Sequence, residues 1–94
     1  GRMDTMQCAI VDVKLKYYKK DLALRQEVAS KYTQALKDKD LILPFIDKNT
    51  TSAFAQYSVR VKNRDELQAK LKELGIPTTV HYPMPLHLQE CFTY

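Results

Sequence analysis

The chain has 94 residues, among them 15 Lys and Arg, 11 Asp and Glu and only 2 Gly, and its formal charge is +4. This length suits one small domain, and 45% apolar with 28% charged residues excludes collagen-like, low-complexity and strongly disordered chains. The longest uncharged apolar run, residues 41–46, is far shorter than the ~20 residues of a membrane span, so no membrane partner is predicted.

The two ends of the chain and its cysteines suggest its context. The chain begins Gly1-Arg2-Met3 without an initiator methionine, so we expect it to be part of a longer protein. Cys8 and Cys91 are isolated and no secretory leader is visible, which predicts reduced thiols in a cytoplasmic protein. The basic residues are spread among acidic ones rather than clustered, so no nucleic-acid partner is predicted.

Residues 1–38 are predicted to form a helical arm. Apolar side chains recur at steps of three and four residues in two stripes, the first being Met3, Met6, Ile10, Val13 and Tyr17 and the second Leu24, Val28, Tyr32 and Leu36. The polar and aromatic residues 16–20 join the stripes, so the arm is either two helices with a bend near 17–22 or one long kinked helix. Both stripes are apolar enough to require a partner surface.

Residues 41–94 are predicted to form a small α/β unit. Residues 41–46 and the alternating segment 54–62 read as strands, the second with Tyr57, Val59 and Val61 facing inward. Asn63 and Gly75 mark the start and the end of a helix, and residues 78–82 form a third strand before Pro83. The predicted order is therefore α-α-β-β-α-β, an α+β or α/β fold with a helical arm and a two-layer β-β-α-β unit.

The segment 81–87 is the most unusual candidate for chemistry. It places His81, Tyr82 and His87 at a strand end in a loop stiffened by two prolines, and such loops commonly present binding groups. The alternative is that His81 and Tyr82 simply alternate between a packed and a solvated face. Arg2 could hold a carboxylate or a phosphate through its planar guanidinium, or it could be a free terminal side chain. No metal site is predicted, since the four possible soft ligands lack paired short spacing.

Four motifs together resemble the DegT/DnrJ/StrS sugar aminotransferases. Residues 1–10 resemble a Gly-Arg-Leu-Asp-Thr-x-Gln-Ala-Ala segment, and Arg25, Ala29 and Tyr32 match an Arg-x-x-x-Ala-x-x-Tyr helix. Residues 52–60 resemble the family's central strand, with Phe54 where Trp is frequent. Residues 75–86 resemble its Gly-Ile-x-Thr-x-x-His-Tyr-Pro-x-Pro-Leu signature. The branch that makes diacetamido-uronate precursors of bacterial surface polysaccharide is the most similar in pattern.

The resemblance implies a fold-type-I transferase dependent on pyridoxal phosphate, of which this chain would be the C-terminal small domain with interdomain or dimer helices. The parent would be a homodimer that transfers an amino group, typically from glutamate, to a keto nucleotide-sugar. The Schiff-base lysine would lie outside the chain, so we predict no catalytic or cofactor-binding residue here and an inactive fragment. By position in the motifs, Arg2 and His81, with Tyr82 a third, would bind the sugar-nucleotide.

Two alternatives come from other functional classes. The chain could be a stand-alone α/β interaction module that docks through its helical stripes. It could also be a weak RNA-binding domain that uses the basic face around Arg60, Lys62 and Arg64. The first stripe also suggests self-association, because an exposed apolar face of that length favours association.

Overall fold

The structure, a computed structural model, describes residues 1–92. They form two compact units, Gly1–Lys62 and a second that begins at Asn63. The structure thus divides the chain later than the predicted boundary near residue 40, because side chains of the long first helix bind residues 52–57. The division into residues 1–38 and 41–94 stays a prediction, and the last two residues of the predicted second domain lie outside the described ones.

The first unit is built on one long helix, α1 (Thr5–Leu36), of 32 residues. The interpretation as two separate helices is wrong, because no Pro or Gly interrupts these residues and the polar join continues the helix. Asp4 is the N-cap, and its Oδ1 accepts a hydrogen bond of 2.8 Å from the backbone N–H of Gln7. The backbone N–H of Lys37 closes the last turn on Thr33 O at 3.0 Å.

The face of α1 that packs shares Tyr32 and Leu36 with the predicted stripe but not Leu24 or Val28. Ala29, which is 4% exposed, is the one fully buried residue among residues 1–92. Leu24, Val28 and Tyr32 of the predicted stripe each remain about half exposed. The small Ala29 side chain lets another segment approach α1 closely, and polar neighbours on the same face bind that segment's backbone.

The predicted strands meet at one point. Ile42 and Arg60 form an isolated antiparallel bridge, with backbone hydrogen bonds of 2.9 Å in both directions. This places segments 41–46 and 54–62 side by side in antiparallel orientation, as two neighbouring strands would be. No longer ladder forms within residues 1–92, so the two-layer β-β-α-β unit stays a prediction.

The second unit begins with helix α2 (Arg64–Glu73). Asn63 occupies the N-cap position as predicted, but its side chain makes no capping hydrogen bond. Gly75 has a φ of +75°, and the backbone N–H of Ile76 donates to Leu71 O at 2.8 Å, which is the Schellman ending that the glycine predicts. Leu67 and Leu71 of α2 are half-buried, whereas Leu74 at its C-cap is 74% exposed.

Two short 3-10 turns, Leu86–Leu88 and Glu90–Phe92, follow Pro85. Between α2 and these turns, Gln68 Nε2 donates to Thr78 O at 3.2 Å and so ties the extended segment back to the helix. A search of residues 1–92 finds no helix with the length and apolarity that crossing a bilayer requires.

Candidate functional site

His81 and Tyr82 lie together in the second unit, after the extended segment that Gln68 holds against α2. Their ring centroids are 5.6 Å apart and the ring planes are tilted by 60°. Both side chains are exposed, Tyr82 by 83%, and the peptide bond that joins them is cis. The pair therefore presents an imidazole and a phenol to solvent on one short loop, where they could donate hydrogen bonds to an anionic or hydroxylated ligand.

Arg2 lies exposed in the first unit, two residues before the N-cap of α1. Its guanidinium is thus close in sequence to the first turn of a long helix, whose free N–H groups favour negative charge. Arg2 belongs to one compact unit and the His81–Tyr82 pair to the other. The substrate-binding role of Arg2, His81 and Tyr82 stays a prediction.

The most extensive side-chain contacts join α1 to residues 52–57. We call residues 52–57 the strap and their contacts with α1 the helix–strap cluster. Arg25 Nη1 donates to Phe54 O at 3.3 Å, and Gln26 Nε2 donates to Ser52 O. Two side chains of one helix face therefore satisfy two backbone carbonyls of the strap. Each of these hydrogen bonds contributes about 1 kcal/mol, and together they set where the strap crosses α1.

The far end of the helix–strap cluster is aromatic. Tyr32 and Tyr57 stack with ring centroids 5.2 Å apart, and Phe54 stacks on Tyr57 at 6.0 Å. The hydroxyl oxygens of Thr33 and Tyr57 are 2.8 Å apart and share a hydrogen bond. Tyr57 is therefore held through both its ring and its hydroxyl. Of the three residues predicted to face inward, Tyr57 and Val61 are half-buried and Val59 is exposed.

The strap has an unusual backbone at Phe54, where φ is +43°. Residues with a Cβ rarely adopt this region, at a cost of about 1–2 kcal/mol. Two hydrogen bonds act at this residue, since its N–H donates to Ser52 Oγ at 3.1 Å and its carbonyl accepts from Arg25. The turn is thus maintained by contacts on both sides of the strained residue.

A shallow open groove of about 180 Å³ runs beside this turn. Its lining mixes polar and apolar side chains and contains no cation and no nucleophile paired with a base: Gln26, Ala29, Ser30, Thr33, Gln34 and Phe54. Within residues 1–92, no three His, Cys, Asp or Glu side chains lie together as metal ligands would. The groove can offer hydrogen bonds, but it has no side chains that could carry out a reaction.

The helix–strap cluster was not predicted as a contact, although the sequence contains its signal. Arg25, Ala29 and Tyr32 occupy positions i, i+4 and i+7 of the Arg-x-x-x-Ala-x-x-Tyr motif, which lie on one side of a helix. All three line or approach the strap. Residues 52–57 begin the motif of residues 52–60, so two segments that resemble the same family contact each other.

The basic face named for RNA binding is partly neutralised. Arg60, Lys62 and Arg64 are all exposed, and Arg64 Nε lies 3.1 Å from Asp65 Oδ1. Elsewhere, exposed lysines pair with glutamates one helical turn away, Lys31 with Glu27 at 3.4 Å and Lys70 with Glu66 at 3.0 Å. Such a mixed surface lacks the single-sign stripe that binds phosphates.

Comparison with known proteins identifies relatives along the whole chain. The profile of the DegT/DnrJ/EryC1/StrS aminotransferase family matches residues 1–94. A UDP-2-acetamido-2-deoxy-3-oxo-D-glucuronate aminotransferase of Pseudomonas aeruginosa is 49% identical over 89 residues, which cover 95% of this chain and 25% of that protein.

Two further relatives broaden the comparison. A pleiotropic regulatory protein of Geobacillus stearothermophilus is 44% identical over 98% of this chain and 26% of its own length. A dTDP-3-amino-3,6-dideoxy-alpha-D-galactopyranose transaminase of Aneurinibacillus thermoaerophilus is 35% identical over 99% of this chain and 26% of its own length. The chain therefore spans about a quarter of the length of these relatives.

Proposed function

Because the chain belongs to the DegT/DnrJ/EryC1/StrS aminotransferase family, we propose that it is the C-terminal small domain of an aminotransferase that acts on a keto nucleotide-sugar. One observation carries the proposal, the 49% identity with the oxo-glucuronate aminotransferase over 95% of this chain. The substrate class is then a UDP-linked sugar with a 3-keto group and a uronate carboxylate, used in surface polysaccharide biosynthesis. Glutamate is the proposed amino donor.

Pyridoxal phosphate is the proposed cofactor of the parent protein, where it would supply the electron sink that amino transfer needs. The residues described here do not fit it. All eleven lysines of the chain are exposed, whereas a lysine that bonds covalently to a cofactor is activated in an enclosed site. The groove beside Phe54 contains no cation for a phosphate. Cofactor binding is therefore assigned to parts of the parent outside these residues.

The proposed contribution of this chain is to bind and orient the sugar-nucleotide. Arg2 can form paired hydrogen bonds with a carboxylate or a diphosphate, because its guanidinium presents two parallel N–H groups. His81 and Tyr82 are exposed on one loop and can donate to sugar hydroxyls or the same anionic groups. Correct placement of the keto carbon lowers the entropic part of the reaction barrier.

The contacts of the helix–strap cluster also support this proposal. It joins two of the four motifs that resemble the family, and it does so through specific side-chain contacts. We further propose that the parent is a cytoplasmic homodimer. The exposed free thiols of Cys8 and Cys91 suit a reducing compartment.

The test is an aminotransfer assay on the complete gene product that contains this segment. The purified protein, with pyridoxal phosphate, is given the UDP-linked 3-amino-2-acetamido-uronate and 2-oxoglutarate, and glutamate is measured. We expect glutamate to form. We expect Arg2→Ala and His81→Phe to raise the KM for the sugar-nucleotide by about tenfold or more, the equivalent of one lost charge-assisted hydrogen bond.

His87→Phe is the matched control, since His87 is an exposed histidine of the same segment and has no proposed role. It should leave KM and kcat within about twofold of the unaltered protein. Equal effects of the two histidine substitutions would remove His81 from the site. Failure to transfer an amino group with any 3-amino sugar-nucleotide would overturn the proposed activity.

A further inference from the structure

The strap combines a strained backbone with little buried surface. Phe54 in its middle has a φ of +43°, a conformation that residues with a Cβ rarely adopt. Three of the six strap residues are half-buried and the other three are exposed. A segment with few buried contacts opens more easily than the elements around it, so the attachment of the strap depends on a small number of interactions.

The interactions that attach the strap use side chains of α1 rather than its backbone. Arg25 and Gln26 donate to carbonyls of the strap, at Phe54 and at Ser52. The Tyr57 hydroxyl shares a hydrogen bond with a further side chain of the same helix. The backbone groups within α1 bond to one another along the helix. Release of the strap would therefore break the helix–strap cluster and leave α1 intact.

The strap lies between two local contacts that do not involve α1. Before it, the backbone N–H of Thr50 donates to Asp47 O at 3.0 Å and closes a turn. After it, Arg60 and Ile42 form the antiparallel bridge with hydrogen bonds of 2.9 Å. Both contacts can persist while the strap moves, so residues 51–59 can leave α1 together.

We propose that the strap is a latch with two positions, one docked on α1 with Phe54 in the left-handed conformation and one released with Phe54 extended. The strain at Phe54 favours release, whereas the hydrogen bonds from Arg25 and Gln26 favour docking. Because these contributions oppose each other, the released position is populated in about one molecule in a hundred. Release uncovers Ala29, which is 4% exposed in the docked position. This inference goes beyond the proposed function and does not depend on it.

The first test measures release by thiol labelling. In the complete gene product, Ala29→Cys is treated with iodoacetamide under native conditions, and peptide mass spectrometry follows the modification of residue 29. Ala23→Cys is the reference for an accessible thiol, because Ala23 is exposed on the same helix. We expect labelling at 29 to be about a hundredfold slower than at 23. Its rate should change little with urea below the unfolding transition, as expected for a local opening.

The second test removes one contact of the docked position. Arg25→Ala loses the hydrogen bond to Phe54 O and should speed labelling at residue 29 by about tenfold, since the donor is charged. Lys31→Ala is the matched control, because it also removes a cation from α1 but Lys31 pairs with Glu27 and not with the strap. It should change the rate by less than about twofold. Equal acceleration by the two substitutions would overturn the latch.

The third test isolates the strain. Phe54→Ala and Phe54→Gly both lose the ring that stacks on Tyr57, but glycine alone adopts the left-handed conformation without a steric cost. Labelling at residue 29 should therefore be slower in the glycine variant by about threefold or more, whereas glycine in an ordinary extended segment would make it faster. The opposite order would overturn the proposal. So would labelling at 29 that is as fast as at 23, or that rises with urea as steeply as global unfolding.

Discussion

The two halves of α1 form one continuous helix, but their side chains make different contacts. The C-terminal half buries Ala29 and binds the strap through Arg25, Gln26 and Thr33. The N-terminal half is richer in exposed apolar side chains, and among the described residues its side-chain hydrogen bonds lie at its start, where the Gln7 N–H donates to Asp4 and the Cys8 thiol donates to Met3 O. Apolar periodicity therefore indicates where a partner could bind, while small and polar residues decide where one binds within the unit.

The largest expected effect comes from placing a charge in the packed half. We expect Ala29→Asp to lower the free energy of unfolding by about 2–3 kcal/mol more than Ala23→Asp, because the carboxylate at 29 would be buried without a partner. Ala23 is exposed on the same helix, so it controls for helix propensity. Urea unfolding of both variants at low protein concentration measures the difference. Equal losses at the two positions would mean that the strap does not cover Ala29 in solution.

A smaller effect is expected at the start of the exposed half. Asp4→Ala removes the cap that accepts the hydrogen bond of Gln7 and should destabilise the first turns by about 1 kcal/mol. Because this half has no partner in the first unit, the loss should appear as faster amide exchange at residues 7–10, with little change in the unfolding of the whole chain. Asp4→Asn keeps the acceptor and should restore slow exchange. A loss in global unfolding equal to that of Ala29→Asp would contradict the contrast between the halves.

The smallest effect isolates one contact of the helix–strap cluster. A double-mutant cycle with Thr33→Val and Tyr57→Phe removes the 2.8 Å hydrogen bond between the hydroxyls while the stacked rings remain. The coupling free energy should be about 0.5–1 kcal/mol, as expected for an exposed neutral bond. Chemical unfolding of the four proteins gives the value. A coupling indistinguishable from zero would leave the ring contacts as the only interaction of Tyr57 with α1.

Local features of the sequence predicted local structure well. The glycine at 75 is in the left-handed conformation that its position after α2 indicated, and α2 begins after Asn63 as expected. These features depend on a few neighbouring residues and on backbone sterics, so no distant contact is needed to decide them. The strand over residues 78–82 stays a prediction, and His81 and Tyr82 at its end are exposed.

The sequence by itself thus indicated a helical arm in the first 38 residues, a helix between Asn63 and Gly75, and the family to which the motifs point. Only the tertiary structure decided that α1 packs through Ala29 rather than through the stripe of Leu24 and Val28. The physical reason is that apolar spacing identifies every face able to bury surface. The choice among faces depends on which side chains, here Arg25 and Gln26, reach backbone carbonyls that another segment brings within hydrogen-bond distance.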